Sequence, residues 1–319
     1  MSLKSPKDIE LKELIYHYPF NPYRHYPFLK KEQKKQALYL KIMSFLEKEG
    51  EVLKVSHQGK KGLAIVRKLP WDSNFFNVPM GAIEAIFSEK NEESLISAIF
   101  DKVLSWFKEK GIKHITFKVD TNDINTLLVA QKMGFYLVDT IVTYLAVKNY
   151  TILRQIKPLF ILRPFEEKDY PELIGIVEYA FKDYPSRFNV DPYLPSKGTL
   201  ELYRGWIDNL IKQPNGYLIV GEKKGKVVGF LGYFSLPELC QVTGKLHVGK
   251  TISAIGPQGR GCYAQFISTL GEAPYYPDTV EGDTSITNTM IQNMWLTMAI
   301  VHGKVIRTQY VFHYFFDKG

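Results

Sequence analysis

Between Glu92 and Lys110 the apolar residues Leu95, Ile96, Ile99, Phe100, Val103, Leu104 and Phe107 recur every three or four positions, and Gly111 comes next. This spacing predicts an amphipathic helix closed by a glycine. Leu38, Leu40, Ile42, Met43, Phe45 and Leu46 predict an earlier helical stripe. Ahead of it, Tyr16–Phe28 is rich in Tyr, Pro and His and reads as irregular but packed. Gly62–Val66, Met80–Phe87, His114–Val119 and Phe135–Val147 read as strands. A loop, Leu69 to Phe76, separates the first two, and Asp123–Met133 reads as a helix closed by Gly134.

The pattern restarts at Phe160. A strand at Phe160–Pro164 and a helix at Glu166–Phe181 lead to a hairpin, Gly216–Val220 and Val227–Phe234, turning on Glu222-Lys223-Lys224-Gly225. Strands at Val248–Ile255, Thr279–Thr284 and Val305–Phe315 alternate with helices that start at Tyr263 and Thr289. With 319 residues, two domains are expected. The reading is a helical extension over 1–50 and domains over 51–150 and 160–319, linked by Lys148–Leu159. A short echo supports related halves: Asp120-Thr121 with Asn125-Thr126 matches Asp283-Thr284 with Asn288-Thr289.

The chemistry concentrates at Ile255-Gly256-Pro257-Gln258-Gly259-Arg260-Gly261-Cys262-Tyr263. A strand, a glycine loop and a helix start point unpaired backbone N–H groups at one place, which suits a phosphate or pyrophosphate. Gly259 and Gly261 are expected to let the backbone approach such a ligand. The totals narrow the rest. No run reaches 18 apolar residues and Met1–Leu14 is polar, so neither a membrane partner nor a signal peptide is expected. Two cysteines are too few for a disulfide framework and point to a cytoplasmic setting. The seven histidines show no metal-ligand spacing, so no metal is expected. Residues 1–68 hold 15 of the 41 basic and 7 of the 33 acidic side chains, which is the whole net charge of +8. Either this segment attracts an acidic partner, or Lys31, Lys34, Lys35 and Lys41 are a solvated helix face. No nucleic-acid motif accompanies it, so nucleic acid is not expected as a partner.

From Phe160 onward the chain resembles the GNAT superfamily of acyl-CoA N-acyltransferases. Gln258-Gly259-Arg260-Gly261-Cys262-Tyr263 follows that family's Gln/Arg-x-x-Gly-x-Gly/Ala pattern after a central strand. The opening Ile161-Leu162-Arg163-Pro164, the hairpin, the Thr284–Asn288 strand end and the final Tyr310-Val311-Phe312-His313 fit in order. The first half is similar to a degenerate repeat. Its loop, Ser88-Glu89-Lys90-Asn91-Glu92-Glu93, has three carboxylates and no glycine and would repel a pyrophosphate. The resemblance implies an α/β (α+β) fold of two GNAT-like domains, each a mostly antiparallel sheet flanked by helices. It implies acetyl-CoA or another acyl-CoA as the cofactor, held by Ser253, Ala254, Ile255, Gln258, Gly259, Arg260, Gly261, Cys262, Tyr263, Asn288 and Trp295. The expected activity is N-acetyl transfer to a primary amine of a small molecule. Trp71-Asp72-Ser73-Asn74-Phe75-Phe76 is similar to a loop of dTDP-fucosamine acetyltransferases, which suggests an amino sugar.

This sequence also departs from the family. Tyr263 stands where Gly or Ala is usual, Ala299 replaces a glycine at a helix end, and Trp295 replaces the tyrosine that protonates the leaving thiolate. Tyr310 is the replacement acid to consider, with His313 behind it. Glu281 and Asp283, two apart on one strand, are the candidate bases, with His247 as a second choice. Each also has a structural reading, as a strand-edge, packed or capping residue. Arg260 either pairs with a phosphate or faces solvent, Cys262 is either an activated thiol or a packing residue, and Asn288 either meets the pantetheine arm or caps a helix. The competing function is a non-catalytic acyl-CoA binding or sensing protein.

Overall fold

A computed structural model describes residues 6–48, 50–147, 158–182, 187–188, 190–194, 199–268, 277–299 and 304–316. The chain divides into two compact units. The first comprises Met1–Ile141, Asp191–Pro195 and Ile306–Gly319, and the second Val142–Val190 and Ser196–Val305. Each unit is drawn from separate stretches of the chain. The physical reason is strand pairing: the last strand, Lys304–Phe315, aligns antiparallel with His114–Asp120 of the first unit. Most of the expected linker, residues 148–157, lies outside the described residues.

In the first unit the strands are β1 (Gly50–His57), β2 (Lys60–Lys68), β3 (Met80–Ser88), β4 (His114–Asp120), the first half of β5 (Tyr136–Val147), and the last strand, β11. Their order in the sheet is β1-β2-β3-β4-β11-β5. Helices α1 (Pro6–Tyr16), α2 (Lys31–Leu46), α3 (Pro70–Phe76), α4 (Glu93–Glu109) and α5 (Ile124–Lys132) surround it. The predicted α4 stripe is buried on Ile83, Ile86, Ile115 and Phe117 of the sheet. The expected loop at Leu69–Phe76 is largely α3. Pro70 starts it at the first turn, where its missing N–H costs nothing, and Asn77 ends it in the left-handed conformation at φ 54.

The second unit contains β6 (Ile161–Pro164), β7 (Gly216–Lys223), β8 (Lys226–Ser235), β9 (His247–Ile255) and β10 (Thr279–Ser285), with the second half of β5 beside β10. The order is β5-β10-β9-β8-β7-β6. Helices α6 (Tyr170–Phe181) and α7 (Thr199–Lys212) cover one face, packing on Val220, Phe230 and Ala254. Helices α9 (Cys262–Ser268) and α10 (Thr289–Ala299) belong to a different core with Val228, Leu231, Val248 and Val280. The short α8 (Pro237–Thr243) precedes β9.

Each unit joins two neighbouring strands in parallel and then separates them. β3 pairs with β4 only from Met80/His114 to Ile83/Phe117. Glu84 is then an extra residue in the β2–β3 ladder, a bulge. β9 pairs with β10 only at His247/Thr279 and Val248/Val280. Immediately afterwards Lys250 and Thr251 oppose the single Tyr233 of β8, and Lys250 takes φ 52. A bulge bends and twists its strand, so each one turns its strand away from the parallel neighbour. The sequence echo holds on the strands, since Asp120 and Asp283 each lie three residues beyond the last parallel pair. It slips at the helices: Asp123 caps α5, whereas Asn288 caps α10.

His247 anchors the joined end of β9 and β10. It is 1% exposed, with Nε2 2.6 Å from Thr243 Oγ1 and Nδ1 2.7 Å from Thr279 Oγ1. Burial lowers its pKa from 6.5 to about 4. Between these values the unfolded chain takes up a proton that the folded chain refuses, so stability falls as pH falls. The full effect is about 3 kcal/mol. In urea unfolding, the stability advantage of the wild type over His247→Gln should shrink by about 2 kcal/mol from neutral pH to about pH 4.5. A constant difference would show that His247 does not carry this effect.

Candidate functional site

Past Val248, β9 remains paired with β8 through Ile252, Ser253, Ala254 and Ile255, while no residue of β10 is in register with these positions. The glycine loop closes this stretch. Val228 is a bulge residue of β8, and its carbonyl accepts the Gly256 N–H at 2.8 Å. Gly259 N–H donates to Gly256 O at 2.9 Å, and Cys262 N–H to Gly259 O at 2.8 Å. Gly259 is buried, and a Cβ there would collide with the Val228 carbonyl and Ile255. Its lack of a side chain serves packing of the loop on β8. Gly261 is exposed at φ +93, a backbone conformation that favours glycine. Pro257, Gln258 and Arg260 are not packed in the same way: Pro257, Gln258 and Arg260 face solvent, so the polar side chains of the loop point outward.

Cys262 is fully buried and its thiol is pushed up to about 12 by desolvation. Its sulfur fills space left by Gly221 and Gly229, so it is a packing residue and not an activated thiol. Asn288 accepts the Ile291 N–H at 3.2 Å through Oδ1, the geometry of a helix cap. Trp295 is 2% exposed, stacks on Tyr144 with ring centres 5.5 Å apart, and lies against Gly282, where a Cβ would strike the indole. The buried Tyr263 phenol takes hydrogen bonds from Ser253 and Trp295. Burial outweighs those bonds and raises its pKa, which keeps the phenol protonated. Sequence spacing gives no sign of this Ser253–Tyr263–Trp295 contact, because it joins β9, α9 and α10.

Gly282 faces Trp295, so by strand alternation Glu281 and Asp283 face the opposite side of β10. Glu281 is buried at 6% exposure, and its Cβ lies beside Gly249, one residue past the last parallel pair. Asp283 is exposed and accepts a 2.6 Å hydrogen bond from Thr143 of β5. His247 is excluded as a base: hydroxyls engage both ring nitrogens and its pKa is low. Tyr310 lies on β11 in the first unit, packed on that unit's core, and is not among the residues of the second unit. The same is true of His313.

The first unit has its own features at the corresponding place. Glu92 and Glu93 pair with Lys60 and Lys132, and Glu89 accepts the Lys61 backbone N–H at 2.9 Å. A cavity of about 590 Å³ lies beside this loop, lined by residues that include Tyr18, Phe20, Lys61, Asn91, Asp123 and Thr126. Asp123 is 4% exposed, caps α5, and has its carboxyl pKa raised by burial. The basic segment is partly engaged in packing: Lys12 and Lys35 stand over the Tyr16 ring, Lys41 over Tyr23, and Arg24 pairs with Asp120 at 2.7 Å. Lys34 donates to the Arg24 carbonyl at 2.7 Å. Lys34, Lys35 and Lys41 are therefore half-buried rather than a fully solvated face, while Lys31 is exposed. His114, Asp191 and His313 also meet in this unit, with ligand atoms all within 4.8 Å. Their separation in sequence gives no metal-ligand spacing.

No helix among the described residues is long and apolar enough to cross a membrane. No protein-family model and no curated protein matches the sequence. Solved structures do. A GCN5-related N-acetyltransferase from Sphaerobacter thermophilus matches 98% of this chain and 94% of its own, with a TM-score of 0.54 at 13% identity. One from Kribbella flavida matches 89% and 96%, with a TM-score of 0.50 at 10% identity. A tandem GNAT protein from the clavulanic acid biosynthesis pathway matches 86% and 87%, with a TM-score of 0.50 at 9% identity. With its mixed, mostly antiparallel sheets, parted parallel strands and flanking helices, the chain has the fold of the GNAT superfamily.

Proposed function

We propose that the second unit binds an acyl-CoA, with acetyl-CoA the first to test, and transfers its acyl group to a primary amine of a small molecule. The observation that carries this reading is the stretch of β9 that parts from β10, stays paired with β8 and runs into the glycine loop. Backbone along Ser253–Ile255 is free of β10 and suits an extended amide-bearing arm. The outward Gln258 and Arg260 suit the phosphates at its end. The fold neighbours named as N-acetyltransferases support the reaction class, and the tandem neighbour is described as a form without AcCoA.

In this reading the amine nitrogen attacks the thioester carbon, the C–S bond breaks, and the thiolate leaves. A free alkyl amine has a pKa of roughly 10, so it must lose a proton before it attacks. Glu281 is the base we favour, because it sits where β9 leaves β10. Asp283 is held by Thr143 and stands second. Tyr263 replaces Tyr310 as the proposed donor to sulfur: its protonated phenol lies against Trp295, the residue at the family's usual tyrosine position. The Gly259 and Cys262 N–H groups are engaged within the loop, so Gly261 is the exposed glycine left to face the ligand, while Asn288 caps α10 at the edge of the site. The amino-sugar suggestion rests on Trp71–Phe76, which lies in α3 of the first unit, so amino sugars are one class within the amine panel.

Calorimetric titration with acetyl-CoA, followed by thiol release across amines that include amino sugars, tests the reading. Absence of binding overturns it. Binding without turnover on any amine overturns the transfer step and leaves an acyl-CoA-binding protein. Arg260→Glu should weaken acetyl-CoA binding about 10-fold without lowering the melting temperature, since Arg260 is exposed. Gly259→Glu is unsuitable for this purpose, because the collision with Val228 would disturb the fold. Glu281→Gln should lower kcat by about 100-fold or more while leaving the dissociation constant for acetyl-CoA unchanged. Unchanged kcat would move the base to Asp283 or to a water relay.

A further inference from the structure

We propose that His114, Asp191 and His313 form a zinc site in the first unit. The two histidines are 77 and 122 positions from Asp191 along the chain, and all three residues are buried. His114 lies on β4 and His313 on β11, where the two strands pair antiparallel. Asp191 arrives from the short segment between α6 and α7. Residues 191–195 belong to the first unit, although the chain on either side of them belongs to the second.

The carboxylate is oriented for this role. Its Oδ1 accepts the Tyr136 hydroxyl at 3.0 Å and the Tyr193 backbone N–H at 2.9 Å. Its Oδ2 faces both imidazoles, 3.2 Å from His114 Nε2 and 2.5 Å from His313 Nδ1. The Tyr136 hydroxyl also lies 3.2 Å from Oδ2, so Oδ1 is held by outer partners while Oδ2 converges with two ring nitrogens and the edge of that phenol; outer hydrogen bonds of this kind orient metal-ligating carboxylates. Two imidazoles and a carboxylate are a donor set that zinc accepts. Ligand atoms about 2.1 Å from a tetrahedral ion lie roughly 3.4 Å apart. The His114 pair already has nearly that spacing, and the His313 pair would open by about 1 Å.

Charge gives a second argument. Asp191 is 3% exposed, and no Lys or Arg among the described residues pairs with it. A carboxylate buried at such a place is costly unless a cation joins it, either a protonated histidine or a metal ion. A divalent ion supplies that cation. On binding, each ligating nitrogen offers its lone pair and its proton moves to the other ring nitrogen, so no oxidant or reductant is needed. The fourth position falls to water. Among the described residues the buried His114 Nδ1 has no hydrogen-bond partner, so it does not discriminate between the states with and without the ion. The ion would tie β4, β11 and residues 190–194 together, a structural role independent of acyl transfer.

The test uses the full-length, tag-free chain, stripped with a chelator and then incubated with zinc and desalted. Retention of one zinc per chain by mass spectrometry and a rise in melting temperature of about 5 °C are expected. Asp191→Asn and His313→Gln should abolish retention. Should either variant fold poorly, cobalt added to the stripped wild type decides: intense visible bands of a four-coordinate ion support the site, and a spectrum identical to aqueous cobalt overturns it. No zinc retained with an unchanged melting temperature also overturns it, as does equal retention by a folded variant, which would place zinc elsewhere.

Discussion

Everything proposed for the second unit depends on the separation of two parallel strands. A continuous ladder between β9 and β10 would occupy the backbone groups that an extended ligand needs. The pairing stops after Val248/Val280, and the extra residue at Lys250–Thr251 comes at once. A non-glycine residue at positive φ is costly, and the structure accepts that cost where it bends β9 away from its neighbour. The joined end is secured by the opposite means. His247 bridges Thr243 and Thr279, Leu246 N–H donates to Asp278 Oδ2 at 3.1 Å, and Asp278 N–H donates to Leu246 O at 2.8 Å. A pinned end and a bent end together define an opening with one fixed side.

The same constraint acts in the first unit, but the loop beyond the bulge is different. Glu84 makes the bulge there, and its carboxylate pairs with Arg67 at 2.5 Å. The turn after β3 has carboxylates bound to lysines and backbone, where the second unit has glycines. The parting of strands is therefore common to both units, whereas the loops beyond it differ in chemistry. Parted strands are thus compatible with a glycine loop in one unit and charged pairs in the other.

Much of this is legible in the sequence, and the gaps have physical causes. Regular amphipathic elements are the easiest: the α4 stripe from Leu95 to Phe107 is buried as its spacing requires. Elements that escape sequence reading have weaker patterns. In β1 only Leu53 is buried, and α3 is hidden by Pro70, which reads as a breaker although it serves as a helix starter. The limits of the compact units are not written locally, because strand partners lie far apart in sequence: no local pattern says that Phe312 will align with Phe117. For the same reason the His114–Asp191–His313 cluster is invisible in the sequence, and so is the Ser253–Tyr263–Trp295 contact. Local chemistry is legible and long-range pairing is not.

Gly259 illustrates the difference at a single residue. A glycine in a loop between strand and helix invites a functional reading, since it leaves room for a ligand. Here the room is taken by the Val228 carbonyl, which a bulge in β8 pushes toward the loop and which also accepts the Gly256 N–H. Cys262 repeats the lesson, with its sulfur seated over Gly221 and Gly229. The loop is shaped from behind by packing on β7 and β8, and its exposed front is carried by Gln258, Arg260 and Gly261. A motif can thus be retained for the strand it rests on as much as for the molecule it faces. The residues that test ligand binding are those whose side chains leave that packing undisturbed.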